Sequence, residues 1–323
     1  METTKFNNRV FGAVILKSIN SNFNADFTHH PRTLPDGVVY STDKALKYAI
    51  KDYFRKLNGE KNLFYVKRLN ENLNPLTLDD TYIKLFGDFP SDKKDVNKKI
   101  VLSNLLSCLD VKLFGATFAG KTNISIHGPI QINHGVNKFP ENDIYTEDIL
   151  SPFRNPGKEG SDEKGMSTIG NQTNLKEGHY VFHFSINPQN TEEFYMMLNE
   201  GMAETEKMFL SNVDINMFKN AVNNSVTALD SSRKMGTENE VTLWIQLKEN
   251  SIKVLPSLTE LITVQKNNGK VEIQLEEVNK VINQIANEIE KVEVYYNPIT
   301  AEIKGLEKTE IIVFKNILNE IEI

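Results

Sequence analysis

Four cations at helical spacing, Lys44, Lys47, Lys51 and Arg55, are the first residues in this sequence whose types and order suggest chemistry. At about 100° per residue they share one side of a helix. Leu46, Ala49, Ile50, Tyr53 and Leu57 share the other. A row of ammonium and guanidinium groups can neutralise successive phosphates of a strand laid along it. From periodicity alone the plainer reading is a solvated helix face. Lys17 closes the apolar run of residues 10–16, and Asn20, Asn22 and Asn24 follow as neutral hydrogen-bonding groups suited to sugar or phosphate. Arg233 and Lys234 stand in a loop after a helix and can also reach a phosphate. Cations there equally complement the end of a helix dipole.

Metal and nucleophile chemistry finds less support. His29 and His30 are adjacent, so their side chains diverge. His179 and His183 alternate onto one strand face without a third ligand at zinc spacing, and they read as structural. Cys108 lies in an apolar run and reads as a small buried hydrophobe, and a single cysteine excludes an internal disulfide. There is no Walker A loop, no dinucleotide-binding glycine pattern and no nucleophile elbow. No cofactor is expected, and no motif demands an enzyme.

The chain has 323 residues, 39% hydrophobic and 25% charged, enough for a sizeable core in a soluble protein. No apolar run is long enough for a bilayer, and the first residues lack the apolar stretch of a secretory signal, so the expected compartment is the cytoplasm. Net charge is −6, against nucleic acid, but it is unevenly spread. Residues 41–68 hold eight Lys/Arg against three Asp/Glu, and residues 270–323 hold six against eleven. Opposite ends of opposite sign suit local binding of a polyanion, or copies stacked head to tail.

The positioning elements follow from pattern. A strand over residues 10–16 leads through a polar loop to a helix capped by Ser41 or Thr42 and ended at Asn58-Gly59. Residues 63–66 read as a short strand and 76–86 as a helix. Residues 111–118 and 123–132 read as a hairpin turning at Gly120-Lys121-Thr122. Residues 133–178 are polar, with isolated apolar residues, Phe139, Ile144, Tyr145, Met166 and Ile169 among them. So long an excursion is commonly functional or disordered. Its apolar residues can insert between bases or form a small cluster under the loop. Residues 179–186 alternate as a half-buried strand. Helices are expected over 191–210 and 214–229, the second capped by Asp214; a strand over 241–247; a helical stripe from Val278 to Ile289, then a strand; and a last amphipathic helix near 308–321. Mixed strands and helices give an α+β class.

Several of these residues also resemble a known family, the Cas-seven family, the repeated backbone subunit of type I CRISPR surveillance complexes (Cascade), most closely its subtype I-B branch. The likeness covers roughly residues 8–240. Asn20 to Asp26 stands where that family has Asn-Pro-Asn-Gly-Asp, without its Pro and Gly. Arg32-Thr33, Asp36-Gly37, Thr42-Asp43 and Leu46-Lys47 with Ile50-Lys51-Asp52-Tyr53 follow the family's order. Asp110-Val111-Lys112-Leu113-Phe114-Gly115 and Gly128-Pro129-Ile130-Gln131 match two further motifs. Ser167-Thr168-Ile169-Gly170-Asn171 matches the end of a thumb hairpin, with Asn171 replacing an Arg, and His183 matches a His in the following strand. Ser232-Arg233-Lys234-Met235-Gly236 matches a last motif loosely, its cation displaced.

The resemblance implies one RRM-like (ferredoxin-like) palm over residues 1–323, with a thumb insertion at 133–178 and a finger or helical insertion at 58–100. It implies a non-catalytic subunit that polymerises along crRNA and presents the guide to target DNA, with copies of itself, a large subunit, a small subunit and a crRNA-end-capping subunit as partners. Lys17, Lys44, Lys47, Lys51, Lys112, Arg233 and Lys234 would contact phosphates, and Asn20, Asn22 and Gln131 would hydrogen-bond to the backbone. Met166 and Ile169 would wedge against a displaced base. The alternative is a type III-like backbone subunit that cleaves target RNA with a divalent metal held at Asp26, near Asp36. Asp26 can equally shape its own turn.

Overall fold

The computed structural model describes residues 3–92, 95–150 and 170–323. Val10–Ser21 (β1) is the strand on which the remainder is assembled, and its first seven residues are all buried. A strand shows such a run only when both of its faces are covered. Tyr40–Ser41 (β2), Asp43–Asn58 (α1), Leu78–Phe86 (α2), Ser91–Asp92 (β3), Asp95–Val96 (β4), Lys98–Ser107 (α3) and Leu109–Phe114 (α4) follow. Next come Gly115–Ala119 (β5), Asn123–His127 (β6), Ile130–Ile132 (β7), Gly135–Asn137 (β8), Ile144–Ile149 (β9) and Gly170–Ile186 (β10). The last part holds Glu192–Asn199 (α5), Asn212–Asn224 (α6), Thr237–Leu247 (β11), Thr263–Asn267 (β12), Lys270–Gln274 (β13), Glu276–Gln284 (α7), Ile289–Tyr296 (β14), Ala301–Lys304 (β15) and Ile312–Asn316 (β16).

The large sheet runs β16-β14-β11-β1-β10-β8-β2, with β7 and β9 also paired to β10. Its pairs are antiparallel except β14 with β16. Val10, Val14 and Leu16, with Phe182, Phe184 and Trp244, face apolar residues of α1 and α6 such as Leu46, Ile50, Phe218 and Val222. Phe11, Ala13 and Ile15, with Val181, Leu243 and Ile245, face a second cluster holding Ile262, Val264, Ile273, Val278 and Ile282. The C-terminal strands β12, β13 and β15 form their own sheet over that second face.

This second cover changes the reading of residues 179–186. They are the end of a longer strand buried on both sides, with His179 and Val181 wholly inside. Residues 63–66 are not a strand. Their amides find side-chain partners instead: the Asp110 carboxylate accepts from Phe64 N and Tyr65 N, both at 2.7 Å. The Arg68 guanidinium donates to carbonyls of Glu60 and Phe64, at 2.7 and 3.0 Å. With its polar groups so satisfied, the segment needs no neighbouring strand.

The hairpin is confined to β5 and β6, because residues 111–114 finish α4 and 130–132 leave to pair with β10. The helix expected over 214–229 is α6, which begins earlier. Ser211 is its cap, and Asp214 closes a capping box by accepting from Ser211 N at 2.9 Å. The expected helix near 308–321 is strand β16, which lies parallel beside Val292–Tyr296 of β14. Of the 133–178 excursion, residues 133–150 and 170–178 are described; they hold β8, β9 and the start of β10, and Phe139 is a buried core residue. Met166 and Ile169 lie outside the described residues.

Candidate nucleic-acid interface

The C-terminal end of β1 gathers half of the expected residues. Lys17 sits on the strand and pairs with Glu238 of β11. Beyond it, Ile19 N donates to Gly236 O and Asn22 N to Arg233 O, each at 2.9 Å, so the 230–236 loop is stitched to the strand. Gly236 has φ 95°, and a Cβ there would stand 2.3 Å from Ile19 O, so the close stitching requires glycine. Asn22 is buried and donates through Nδ2 to Thr173 O at 3.1 Å and His29 O at 3.2 Å. Asn20 takes a left-handed φ of 47° and accepts from the Tyr145 hydroxyl at 3.2 Å. Lys234 lies over two rings, Phe23 at 5.1 Å and Tyr48 at 5.5 Å. Burial pushes its ammonium below the ordinary lysine range. Among the described residues, Asn22 Oδ1, Arg32 Nε and Arg233 Nη1 are buried with no hydrogen-bond partner. Buried polar atoms without a partner are rare in a folded chain, and three of them occur on the segments that follow β1 and on the 230–236 loop.

Helix α1 starts at this place. Thr42 caps it by accepting from Ala45 N, while Asn24 Oδ1 accepts from Thr42 N and Thr42 Oγ1, both at 2.9 Å. Its 16 residues then run about 24 Å to Asn58. There Asn58 and Gly59 line a cavity of about 430 Å³ with Lys112 and Asp214.

The cation row on α1 is not uniform. Lys44 is 84% exposed. Lys47 is 20% exposed, 3.3 Å from Asp43 and 5.5 Å from the Phe114 ring. Lys51 turns inward and donates to Tyr65 O at 2.7 Å. Burial pushes its ammonium down, although Asp110 partly restores it. Arg55 is held by Asp52. The reason is packing: that side of α1 meets α4 and the 62–66 segment, which supply Phe114, Asp110 and the Tyr65 carbonyl.

Lys112 bonds Asp214 at 3.3 Å. Gln131 donates to Gly128 O at 2.9 Å and pairs, through Ser185, with Phe11 at the start of β1. That places Gln131 about 30 Å along the sheet from Asn20. The structure therefore places Asn20, Asn22, Arg233, Lys234 and Lys44 on the loops and helix start that follow β1, sets Lys17 in the cleft with Lys266 and Lys270 on the second face, and leaves Lys112 and Gln131 at the far end.

Other groups read from sequence find local employment. Asp26 Oδ1 accepts from Thr28 N and Thr28 Oγ1 at 2.8 Å and from His30 N at 3.0 Å. The Thr28 hydroxyl first, against burial, and then the His30 and Thr28 amides hold this carboxyl below its usual range. Buried His179 places Nδ1 2.5 Å from Glu240. His183 is pushed below the usual histidine range by burial. Cys108 is buried, its thiol pushed up to about 12 by burial and then by Asp110. Among the described residues no three His, Cys, Asp or Glu side chains are grouped to hold a metal. Nor is any helix among them long and apolar enough to cross a membrane.

Pattern reading passed over Phe27, which is 97% exposed beside this interface, and Tyr48, 53% exposed. It also missed Lys266 and Lys270, which with Lys17 and Glu177 line an open cleft of about 460 Å³. Phe27 carries one signal, an isolated aromatic in a polar loop. The lysines carry none, because the fold alone brings β12 and β13 beside β1.

Fold and site together define an α+β protein whose doubly covered antiparallel sheet offers a cationic, polar strand end instead of an open face. The family model for CRISPR-associated protein Cas7 matches residues 8–289, and the chain belongs to that family. The match extends well past residue 240 into the cover of the second face. Among solved structures, a chain of a "CRISPR RNA-guided surveillance complex" is similar at TM-score 0.51 and 12% identity, over 93% of this chain and 95% of that one. A chain of a "CRISPR RNA-guided surveillance complex, pre-nicking" is similar at TM-score 0.50 and 12% identity, over 93% and 96%. No curated protein matches the chain.

Proposed function

We propose that this protein is the repeated backbone subunit of a type I CRISPR surveillance complex, binding crRNA along its ribose-phosphate chain and leaving target DNA selection to base pairing. Membership of the Cas7 family over residues 8–289 carries this reading. The strand order supports an RRM-like palm. The β1 strand sits between β10 and β11, β8 lies beyond β10, and α1 and α6 cover one face. RRM domains stack bases on the open sheet face. Here that face is under the C-terminal cluster, so the guide would run past the β1 end and along α1. Lys17, Asn20, Lys44, Arg233 and Lys234 would contact it, while buried Asn22 would hold the turn after β1 and Lys47 would pack on Phe114. Lys51 would instead tie α1 to the 62–66 segment, and Lys112 would brace α6 through Asp214. In this reading Asp26 shapes its loop and cuts nothing.

The test is to purify the expressed complex and sequence the nucleic acid it retains. Repeat-derived guide RNA of uniform length is the expected content, and a complex free of nucleic acid would refute the reading. Adding complementary RNA and magnesium to the same complex should leave that RNA whole. Regular cuts that vanish on Asp26→Ala would assign the chain to the RNA-cleaving type III branch.

A further inference from the structure

The loop after β1 displays one aromatic ring that the fold does not use. Phe27 is 97% exposed, on a turn that is closed from every side. Asp26 N donates to His30 O at 2.8 Å, His29 N donates to Asp26 O at 3.2 Å, and Ala25 and Pro31 form a bridge at its neck. The Asp26 carboxylate takes the three bonds described above from inside the turn, and His29 holds a left-handed φ of 70°. Asn22 anchors the whole from below through His29 O. A fully hydrated Phe on a flexible tip could fold down onto the protein. On a turn this tightly bonded it is held out.

We infer that Phe27 is a stacking platform for an unpaired base of the bound RNA strand. Its surroundings select that occupant. His29 and His30 are exposed beside it, giving three ring side chains within four residues. The turn's one carboxylate, Asp26, keeps its charge but spends its Oδ1 on the turn's own donors, so it shapes the turn. Asn22, which anchors the turn, is also bonded to Arg233 O on the loop that carries Lys234, and Asn24 ties the start of the turn to the helix that carries Lys44. A ring held beside elements that carry cations matches a nucleotide, with its flat base and charged phosphate. A pre-formed turn also removes the ordering cost of binding.

This inference rests on the proposed RNA-binding role, and one experiment separates the two. Wild-type protein and Phe27→Ala, Phe27→Leu and Phe27→Trp variants are titrated with a short single-stranded RNA and with an abasic version of equal charge. Loss of one base stack should weaken Phe27→Ala roughly five- to hundred-fold on the natural strand, with Phe27→Leu between. The slope of affinity against salt should stay unchanged, since no ion pair is lost. The abasic strand should bind wild type and Phe27→Ala alike. In the Phe27→Trp variant, emission of the introduced indole should be quenched by the natural strand only, and the buried Trp244 serves as internal reference. If wild type binds RNA and Phe27→Ala binds equally well, the stacking role is refuted while the RNA-binding role stands. Unchanged RNA affinity with smaller assemblies by sedimentation would reassign Phe27 to contact between proteins. A wild type that binds neither strand overturns both.

Discussion

A lysine's worth to a polyanion depends on what else its ammonium already holds, and the lysines of this interface differ sharply in that respect. Lys44 is exposed, and its short contact is with the adjacent Asp43. Lys234 is half-buried on two aromatic faces, where an arriving phosphate would offset its lost hydration. Lys51 has already surrendered its ammonium to the Tyr65 carbonyl. We therefore expect Lys44→Glu and Lys234→Gln each to weaken binding of a single-stranded RNA and lower its salt slope by about 0.7. Lys51→Ala should leave the slope intact and cost about 1 kcal/mol of stability instead. Salt titrations of RNA affinity, paired with denaturant melts, separate the two behaviours. A Lys51 variant that changes the slope while keeping full stability would return that side chain to the interface. From sequence the four cations of α1 look equivalent, because periodicity reports the angle around the axis and nothing of what packs there. Lys47 and Lys51 are covered by α4 and residues 62–66, segments brought in from later in the chain.

At the scale of elements, sequence reading succeeded where the determinants are local. Thr42 caps α1, Gly59 ends it with φ 75°, and Gly120-Lys121-Thr122 joins β5 to β6. It failed where a distant group decides. Residues 63–66 have the composition of a strand, yet the Asp110 carboxylate takes the place of a neighbouring backbone. Ile312–Asn316 has apolar residues that fit a helix stripe, yet the open edge of β14 claims it as a strand. Asp110 is thus a structural organiser on which the α4 contact with the 62–66 segment depends. Burial pushes its carboxyl above the ordinary range, against the bonds from Phe64 N and Tyr65 N that pull it down. Asp110→Ala would strand one buried and one half-buried amide donor, so we expect a loss of about 2–4 kcal/mol and a lower melting temperature by circular dichroism. A variant as stable as wild type would show that the segment has another anchor.

Across the whole molecule, the double cover of the central sheet is the feature least visible in sequence. Each strand shows an alternation or an apolar run, but which chain segment covers which face is a matter of topology. One consequence is a charged cluster under that sheet's outer strands. Glu293 on β14 is 5% exposed and receives Lys219 from α6, Lys315 from β16 at 2.7 Å, and Lys291 from its own strand at 3.5 Å. The Tyr295 hydroxyl also donates to it, at 3.1 Å. Burial alone would raise this carboxyl, but the lysines overcome it, Lys219 foremost, and hold it at about 2 against an ordinary 4.5. A carboxylate depressed on folding stabilises the native state above its unfolded pKa. Between pH 4.5 and about 2 the unfolded chain binds the proton first, so stability falls as pH drops through that window. The full contribution is about 3 kcal/mol. Lys219 moves the other way for the opposite reason: burial brings its ammonium to about 8, and Glu293 only partly compensates. Its own effect lies between pH 8 and the ordinary 10.5, where stability rises with pH, so the two groups act in separate windows. We expect urea midpoints measured from pH 6 to 3 to fall less steeply for Glu293→Gln than for wild type. The variant should already be weaker at pH 6, where three buried or half-buried ammonium groups lose their shared partner. Parallel curves for the two proteins would mean that the α6, β14 and β16 junction is held by its apolar contacts alone.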